Sequence, residues 1–411
     1  MDALMPVTSC ILCGSANVKL ILDLGLHPLA DTFLKKEELE MEEEKYPLQV
    51  FLCGDCGHAM TGFIVPPEKR YQAHDYSYDS QNSEVAVGHF SEMAADVIAR
   101  ESVKAEDLVV DIGSSVGTLL AAFRTQCGAK VLGVEPSHNI AALATQNGVP
   151  TINDFWGHNA VDEVVKQGGL PAQAGAKIIT ATNAFNHIGD MNAFMQDIER
   201  ALAPGGAFVA EIPYMLHLVE KLAFDTIYLE HMSYFAIKPL ARFFERFGMV
   251  ITDIQENEYM GGSIRITIKK GGEESPLVKT CIVREEAAGL FEPATYEGIM
   301  RSIQQFKLNL MTELTAAKHG GGTIIGIGAA TKGNTLLNYC GIDTNLLEFI
   351  TDASSLKIGK YTPGSHIPIV SDDAITDAIT HALILPWNIA PFLKERLGPK
   401  YPKIAFIVPH V

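Results

Sequence analysis

The segment Val109-Val-Asp-Ile-Gly-Ser-Ser-Val-Gly-Thr118 runs an apolar strand straight into a glycine turn and a helix start. A strand that feeds a helix in this way returns parallel to itself, because the crossover packs back on the same sheet with one preferred hand. The pattern recurs. Val131-Leu-Gly-Val-Glu135, Lys177-Ile-Ile-Thr-Ala181 and Ala207-Phe-Val-Ala-Glu-Ile212 all read as buried strands separated by helical intervals. A mainly parallel sheet with helices on both faces is therefore expected. Gly261-Gly-Ser-Ile-Arg-Ile-Thr-Ile268 reads as its last strand, and helical spacing from Glu84 to Ala99 leads into the first, Leu108-Val-Val-Asp-Ile112.

A second alternation follows a long helical interval, Glu285 to His319. It runs through Gly322-Thr-Ile-Ile-Gly-Ile-Gly328, Leu347-Glu-Phe-Ile-Thr-Asp352, Ala382-Leu-Ile-Leu385 and Ile404-Ala-Phe-Ile-Val408. With 411 residues the chain exceeds one ordinary core. The fold class expected is α/β in three parts. Residues 1–75 form a zinc-knuckle domain, residues 76–284 a Rossmann-like domain, and residues 285–411 a second Rossmann-like domain with a different fingerprint. The acidic run Glu37-Glu-Leu-Glu-Met-Glu-Glu-Glu44 reads as a solvated face.

Four of the seven cysteines form two Cys-x-x-Cys knuckles, Cys10 with Cys13 and Cys53 with Cys56. Four thiolates suit a tetrahedral zinc ion, and the set leaves no open ligand position, so the site is expected to be structural. The other three, Cys127, Cys281 and Cys340, read as small core residues. The paired thiols, the lack of a signal-peptide pattern and the lack of a long apolar run point to the cytoplasm and to no membrane. The net charge of −17 opposes a nucleic-acid partner.

Between strand and helix, Gly113 and Gly117 allow the backbone to approach a ligand, and Asp111 precedes them in an Asp-x-Gly-x-x-x-Gly spacing. Glu135 ends the next strand, where a carboxylate accepts ribose hydroxyls. That spacing, with Asp154 and Phe155 placed to hold an adenine, favours S-adenosylmethionine over NAD. Asn183 ends the fourth strand, at the edge where the reacting end of the ligand belongs. Ala203-Pro-Gly-Gly206 reads as a structural turn.

Tyr228, Glu230 and His231 gather a phenol, a carboxylate and an imidazole within four residues, and His187 joins them from the loop beyond the fourth strand. A methyl donor beside acid–base groups suggests carbon methylation, which requires a carbon nucleophile made by deprotonation next to a ketone. His231 is the expected base, Glu230 its support, and Tyr228 and His187 its polar partners.

Taken together, these motifs resemble zinc-containing, S-adenosylmethionine-dependent sugar C-methyltransferases of deoxysugar pathways. The resemblance spans nearly the whole chain. It includes the knuckles, Leu24-Gly-Leu-His-Pro-Leu-Ala-Asp31, Tyr76-Ser-Tyr-Asp-Ser80, Asn183 to His187, Glu211-Ile-Pro-Tyr214, Tyr228-Leu-Glu-His231, Gly326-Ile-Gly-Ala-Ala-Thr-Lys-Gly-Asn334 and Lys360-Tyr-Thr-Pro-Gly-Ser-His-Ile-Pro368. It implies methylation at C3 of a nucleotide-linked 4-keto-deoxysugar, with Tyr76 added to the reacting centre. It also implies a last domain that holds the nucleotide diphosphate. Lys332 and Asn334 are the expected phosphate contacts, Lys357, Lys360 and His366 add charge, and Tyr78 and Tyr214 are expected at the substrate. Two other enzymes remain open. One is a nucleotide-sugar oxidoreductase using NAD(P), opposed because no acid stands clearly at the ribose position of the last domain. The other is an O- or N-methyltransferase, which would not need the imidazole–phenol cluster.

Overall fold

The computed structural model describes residues 5–72, 75–77, 79–167 and 175–409. Tyr78 lies outside the described residues. The central sheet has seven strands in the order Met249–Asn257, Ser263–Lys270, Leu202–Pro213, Ala176–Thr182, Leu108–Ile112, Lys130–Val134 and Thr151–Ile152. From Leu202–Pro213 onward all neighbours are parallel, while Ser263–Lys270 runs antiparallel to both of its neighbours. Strand order reverses on either side of Leu108–Ile112, which opens a crevice at the carboxyl ends of the strands. Leu108 and Val110 pack on one face of the sheet and Val109 on the other, as expected of a strand covered on both sides. The edge strand Met249–Asn257 was not expected from the sequence. It is half-buried, and Asp253, Gln255 and Glu256 dilute its apolar alternation.

The N-terminal part is an antiparallel sheet of Val18–His27, Tyr46–Cys53 and Ala59–Thr61. Its fourth strand, Ser233–Tyr234, comes from far along the chain and pairs with Ala59–Met60. That pairing anchors the segment bearing Tyr228, Glu230 and His231 against the zinc part. The C-terminal sheet is wholly parallel, in the order Ile369–Val370, Ile350–Thr351, Ile324–Ile327, His381–Ile384 and Ala405–Ile407.

The helical interval expected from Glu285 to His319 is two helices, Pro276–Ala287 and Pro293–His319. Gly289 at φ +66° and a proline at the first turn of the second helix break it. The longer helix buries Tyr296, Ile303, Leu310 and Leu314 in one core with Leu22 and Leu48 of the first sheet, Leu229, and Ile350 of the last. The acidic run also departs from expectation. Glu43 accepts from Gly364 N at 2.8 Å and pairs with His366 Nε2 at 3.1 Å, so it fastens the N-terminal part to the C-terminal part. Leu34 and Tyr361 exchange backbone bonds of 2.9 and 2.8 Å beside it.

Candidate active site

The four knuckle sulfurs lie within 4.8 Å of one another, with Cys10–Cys56 and Cys13–Cys53 at 3.6 Å. Sulfurs about 2.3 Å from a tetrahedral zinc ion stand roughly 3.8 Å apart, so the set fits the metal. Tight turns build each knuckle: Gly14 N bonds Cys10 O at 2.8 Å, and Gly57 N bonds Cys53 O at 3.0 Å. Gly57 has φ +85°, and a Cβ there would stand 2.5 Å from the Phe291 ring. Cys281 and Cys340 are buried core residues, as expected.

A cavity of about 950 Å³ opens where the three parts meet. Its donor half is built on the first glycine turn. Gly113, at φ +68°, donates to Val134 O at 2.9 Å, and a Cβ there would meet Ala184 Cβ at 2.8 Å. Glu135 is buried, and its carboxylate accepts from Ser115 N at 3.0 Å and Ser137 N at 2.9 Å. Burial pushes its pKa up. Ser114 Oγ, Ser115 Oγ and Asn183 Oδ1 are buried without partners on this wall. Asn183 itself sits at φ +52°, with its N–H on Glu211 O at 2.8 Å. Phe155 lines the wall as expected, and Trp156 joins it without having been foreseen. A carboxylate, an open glycine turn, aromatic faces and spare polar atoms fit an adenosine-bearing donor.

Three residues expected to hold that donor have other duties. Asp111 lines the cavity, but its carboxylate accepts from Thr180 Oγ1 at 2.6 Å, and burial pushes its pKa to about 7. The Asp154 carboxylate accepts from the N–H of Phe155 at 2.8 Å and shapes the turn instead of facing the cavity. Gly117 is needed for packing, since a Cβ would come 2.7 Å from Val149.

At the centre of the cavity, His231 Nδ1 bonds Thr226 O at 2.9 Å. A carbonyl only accepts, so Nδ1 carries the proton and Nε2 holds the free lone pair. The Tyr228 hydroxyl donates to that Nε2, with ring centroids 3.7 Å apart. Burial, with a smaller contribution from the Arg70 charge, pushes the His231 pKa down to about 3. His187 stands edge-on to His231 at 4.9 Å, its Nδ1 buried and unpartnered. Burial, the neighbouring His231 and Arg70 all hold it neutral.

Glu230 does not support the imidazole as expected, because the Thr226 carbonyl takes that place. Its Oε1 accepts from Asp31 N at 3.0 Å, its Oε2 is buried without a partner, and burial raises its pKa to about 7. Tyr76 lines the cavity, packed edge-on to Tyr71 at 5.2 Å. Its backbone is clasped by Asn139, with contacts of 3.2 and 2.8 Å.

Arg70 and Tyr71 were missed. The Arg70 guanidinium is buried and spans His187 O at 3.2 Å and Glu230 O at 3.3 Å, tying the two loops of the centre together. Tyr71 touches Tyr76, Phe155 and His187 with its ring. Nothing in the local sequence marks either residue, since most of their partners are backbone and rings from distant segments.

The third wall comes from the last domain. Lys332 is buried with its ammonium 4.2 Å over Trp387 and 4.0 Å from Asp225, and makes no hydrogen bond. Lys357 also lines the wall, donating to Ala329 O at 2.7 Å. Several expected substrate contacts point elsewhere. Asn334 donates to Ala30 O at 2.7 Å, and Gly333 N to Ala330 O at 2.9 Å. Tyr214 is buried against Glu285, with its hydroxyl 2.9 Å from Oε1. Neither His366 nor Lys360 lines the cavity. An acid that the sequence reading passed over, Asp352, stands directly after the strand Ile350–Thr351 and lines the cavity.

A mainly parallel sheet with a cavity at its switch point, beside buried imidazoles and a zinc-knuckle part, defines a methyltransferase class. Comparison with known proteins narrows it. Family profiles match residues 10–71 as a zinc binding domain, 87–254 as a methyltransferase domain and 258–409 as a C-methyltransferase C-terminal domain. C-methyltransferase NovU of Streptomyces niveus is 30% identical over 394 residues, covering 95% of this chain and 92% of its own.

The chain belongs to this C-methyltransferase family. It is an S-adenosylmethionine-dependent C-methyltransferase with a zinc site, which sets aside the oxidoreductase and the O- or N-methyltransferase readings. Among solved structures, an S-adenosylmethionine-dependent methyltransferase of Clostridium acetobutylicum is 13% identical, with a TM-score of 0.35 over 47% of this chain and 93% of its own. Magnesium protoporphyrin IX methyltransferase of Synechocystis is 12% identical, with a TM-score of 0.33 over 46% of this chain and 82% of its own. At such scores they decide nothing about this chain.

Proposed function

We propose that the enzyme methylates C3 of a nucleotide-linked 4-keto-deoxysugar through an enolate. The observation that carries this reading is the neutral His231–Tyr228 pair, with its lone pair on Nε2, lining one cavity with the donor turn and the buried Lys332. A ketone at C4 acidifies the C3 proton, and His231 Nε2 accepts it. Tyr228 must leave that lone pair before the proton arrives, which frees its hydroxyl to donate to the keto oxygen as charge develops there. An imidazolium is unfavourable in so desolvated a site, so it forms only together with the enolate that neutralises it. His187 Nδ1 and Glu230 Oε2, both buried and unpartnered, are further groups available to the substrate oxygens. S-adenosylmethionine supplies the electrophilic methyl group. Tyr71, Tyr76, Phe155 and Trp156 wall the centre and keep water from the enolate.

Lys332 supports a diphosphate reading of the third wall. It is a desolvated cation whose lowered pKa stems from burial, with Asp225 offsetting it only in part, and an anion nearby would restore its charge. The acceptor is thus a small nucleotide-diphosphate sugar. Thiols kept reduced for a metal suit a cytoplasmic enzyme.

The test is incubation with nucleotide 4-ketosugars in deuterated water without donor. Wild type should exchange the C3 proton. His231→Asn should lose exchange and methylation together while keeping its affinity for S-adenosylhomocysteine. Exchange at the wild-type rate in that variant removes His231 as base, and methyl transfer without any exchange-competent proton removes the enolate.

A further inference from the structure

The C-terminal half of the cavity repeats the hydrogen bonding of the donor half. In the donor half, Gly113 at φ +68° donates to Val134 O at 2.9 Å, and Glu135 accepts from Ser115 N at 3.0 Å and Ser137 N at 2.9 Å. In the other half, Gly328 at φ +79° donates to Thr351 O at 2.7 Å, and Asp352 accepts from Ala329 N at 2.7 Å and Ser354 N at 2.8 Å. Each carboxylate follows the strand parallel to the one that ends in the glycine turn. A ten-residue helix follows each turn, Thr118–Cys127 and Thr331–Cys340. The turns share little sequence, and the acid is one methylene shorter, so the likeness exists only in three dimensions.

Backbone bonds fix such a carboxylate without exhausting it, because each oxygen keeps a second lone pair. Asp352 lines the cavity beside Thr351, whose Oγ1 is buried and unpartnered, and beside Lys332, whose ammonium makes no hydrogen bond. A carboxylate, a hydroxyl and a cation within one crevice match a sugar hydroxyl and a phosphate.

We propose that Asp352 is a second ribose-binding carboxylate, which accepts the sugar hydroxyl of a nucleoside diphosphate as Glu135 accepts that of the donor. This rests on the reading that the cavity holds a nucleotide-linked acceptor. The 3′-hydroxyl is the group shared by ribose and deoxyribose, so it is the contact required. With one nucleoside on each carboxylate, the two reacting groups are directed into the one cavity that Tyr228 and His231 also line.

The test uses calorimetric binding of UDP and thymidine diphosphate, each against its 2′,3′-dideoxy analogue, to the zinc-loaded full chain. Wild type should prefer the hydroxyl-bearing nucleotide by about tenfold or more. Asp352→Ala should lose that preference while binding S-adenosylhomocysteine as before. Inorganic pyrophosphate, which has no ribose, should bind wild type and variant alike; equal loss of both ligands would mean a collapsed turn and overturn the assignment. A preference that survives in Asp352→Ala overturns it as well. Wild type that binds no nucleoside diphosphate overturns this inference and the acceptor reading together, whereas binding without discrimination overturns only this one.

Discussion

One backbone carbonyl fixes the His231 tautomer and burial keeps the imidazole uncharged, as the proposed role of base requires. Glu230, next to it, is set differently. Its pKa rises from 4.5 to about 7, burial being the main cause. The folded chain therefore holds a proton that the unfolded chain releases between those values, so stability falls as pH rises from about 4.5 to 7 and stays lower above. Glu230→Gln removes that loss and should gain up to about 3 kcal/mol at pH 8, with little change at pH 5. Urea midpoints at the two pH values measure it, and an equal difference at both would refute the raised carboxyl. The dense Tyr228–Glu230–His231 cluster was legible because its residues are neighbours in the chain. Tyr214, Asn334 and His366 were misread because a polar side chain in a matching motif serves equally well as an internal strut. Only their partners Glu285, the Ala30 carbonyl and Glu43 distinguish the two.

At the scale of elements, the knuckles connect the metal to the helical region through Gly57 and Phe291. Gly57→Ala places a Cβ against that ring in a left-handed backbone and should cost about 1–3 kcal/mol. Zinc should then pass faster to a chromophoric chelator, and an unchanged release rate would show that the contact carries no load. The alternating strands and helices were legible because fully buried parallel strands are continuous apolar runs. Ser233–Tyr234 was not, since a two-residue strand has no period to detect. The break between Pro276–Ala287 and Pro293–His319 was legible in principle from Gly289 and Pro293, but helical spacing on both sides masked it.

At the scale of the molecule, one cavity takes a wall from each part of the chain, and Arg70 joins two of them. Its planar guanidinium bridges carbonyls that belong to the His187 and Glu230 loops. Arg70→Met should lower kcat about 10- to 100-fold through misplaced groups while leaving S-adenosylhomocysteine affinity within about twofold. Arg70→Lys should fail to rescue, because a point charge cannot span both carbonyls. Full turnover in the lysine variant would dismiss the clamp.

By itself the sequence determined the alternation of elements, the tetrahedral cysteine set, the donor turn and the chemistry concentrated around His231. These are local facts, readable from periodicity and from residue types a few positions apart. Tertiary structure decided which polar groups face the cavity and which are consumed elsewhere. It set Thr226 and not Glu230 on the imidazole, brought Arg70 and Tyr71 to the centre, and gave Asp352 the setting of Glu135. The physical reason is that a side chain's partner is fixed by packing between segments far apart in the chain, and no local pattern records where those segments meet.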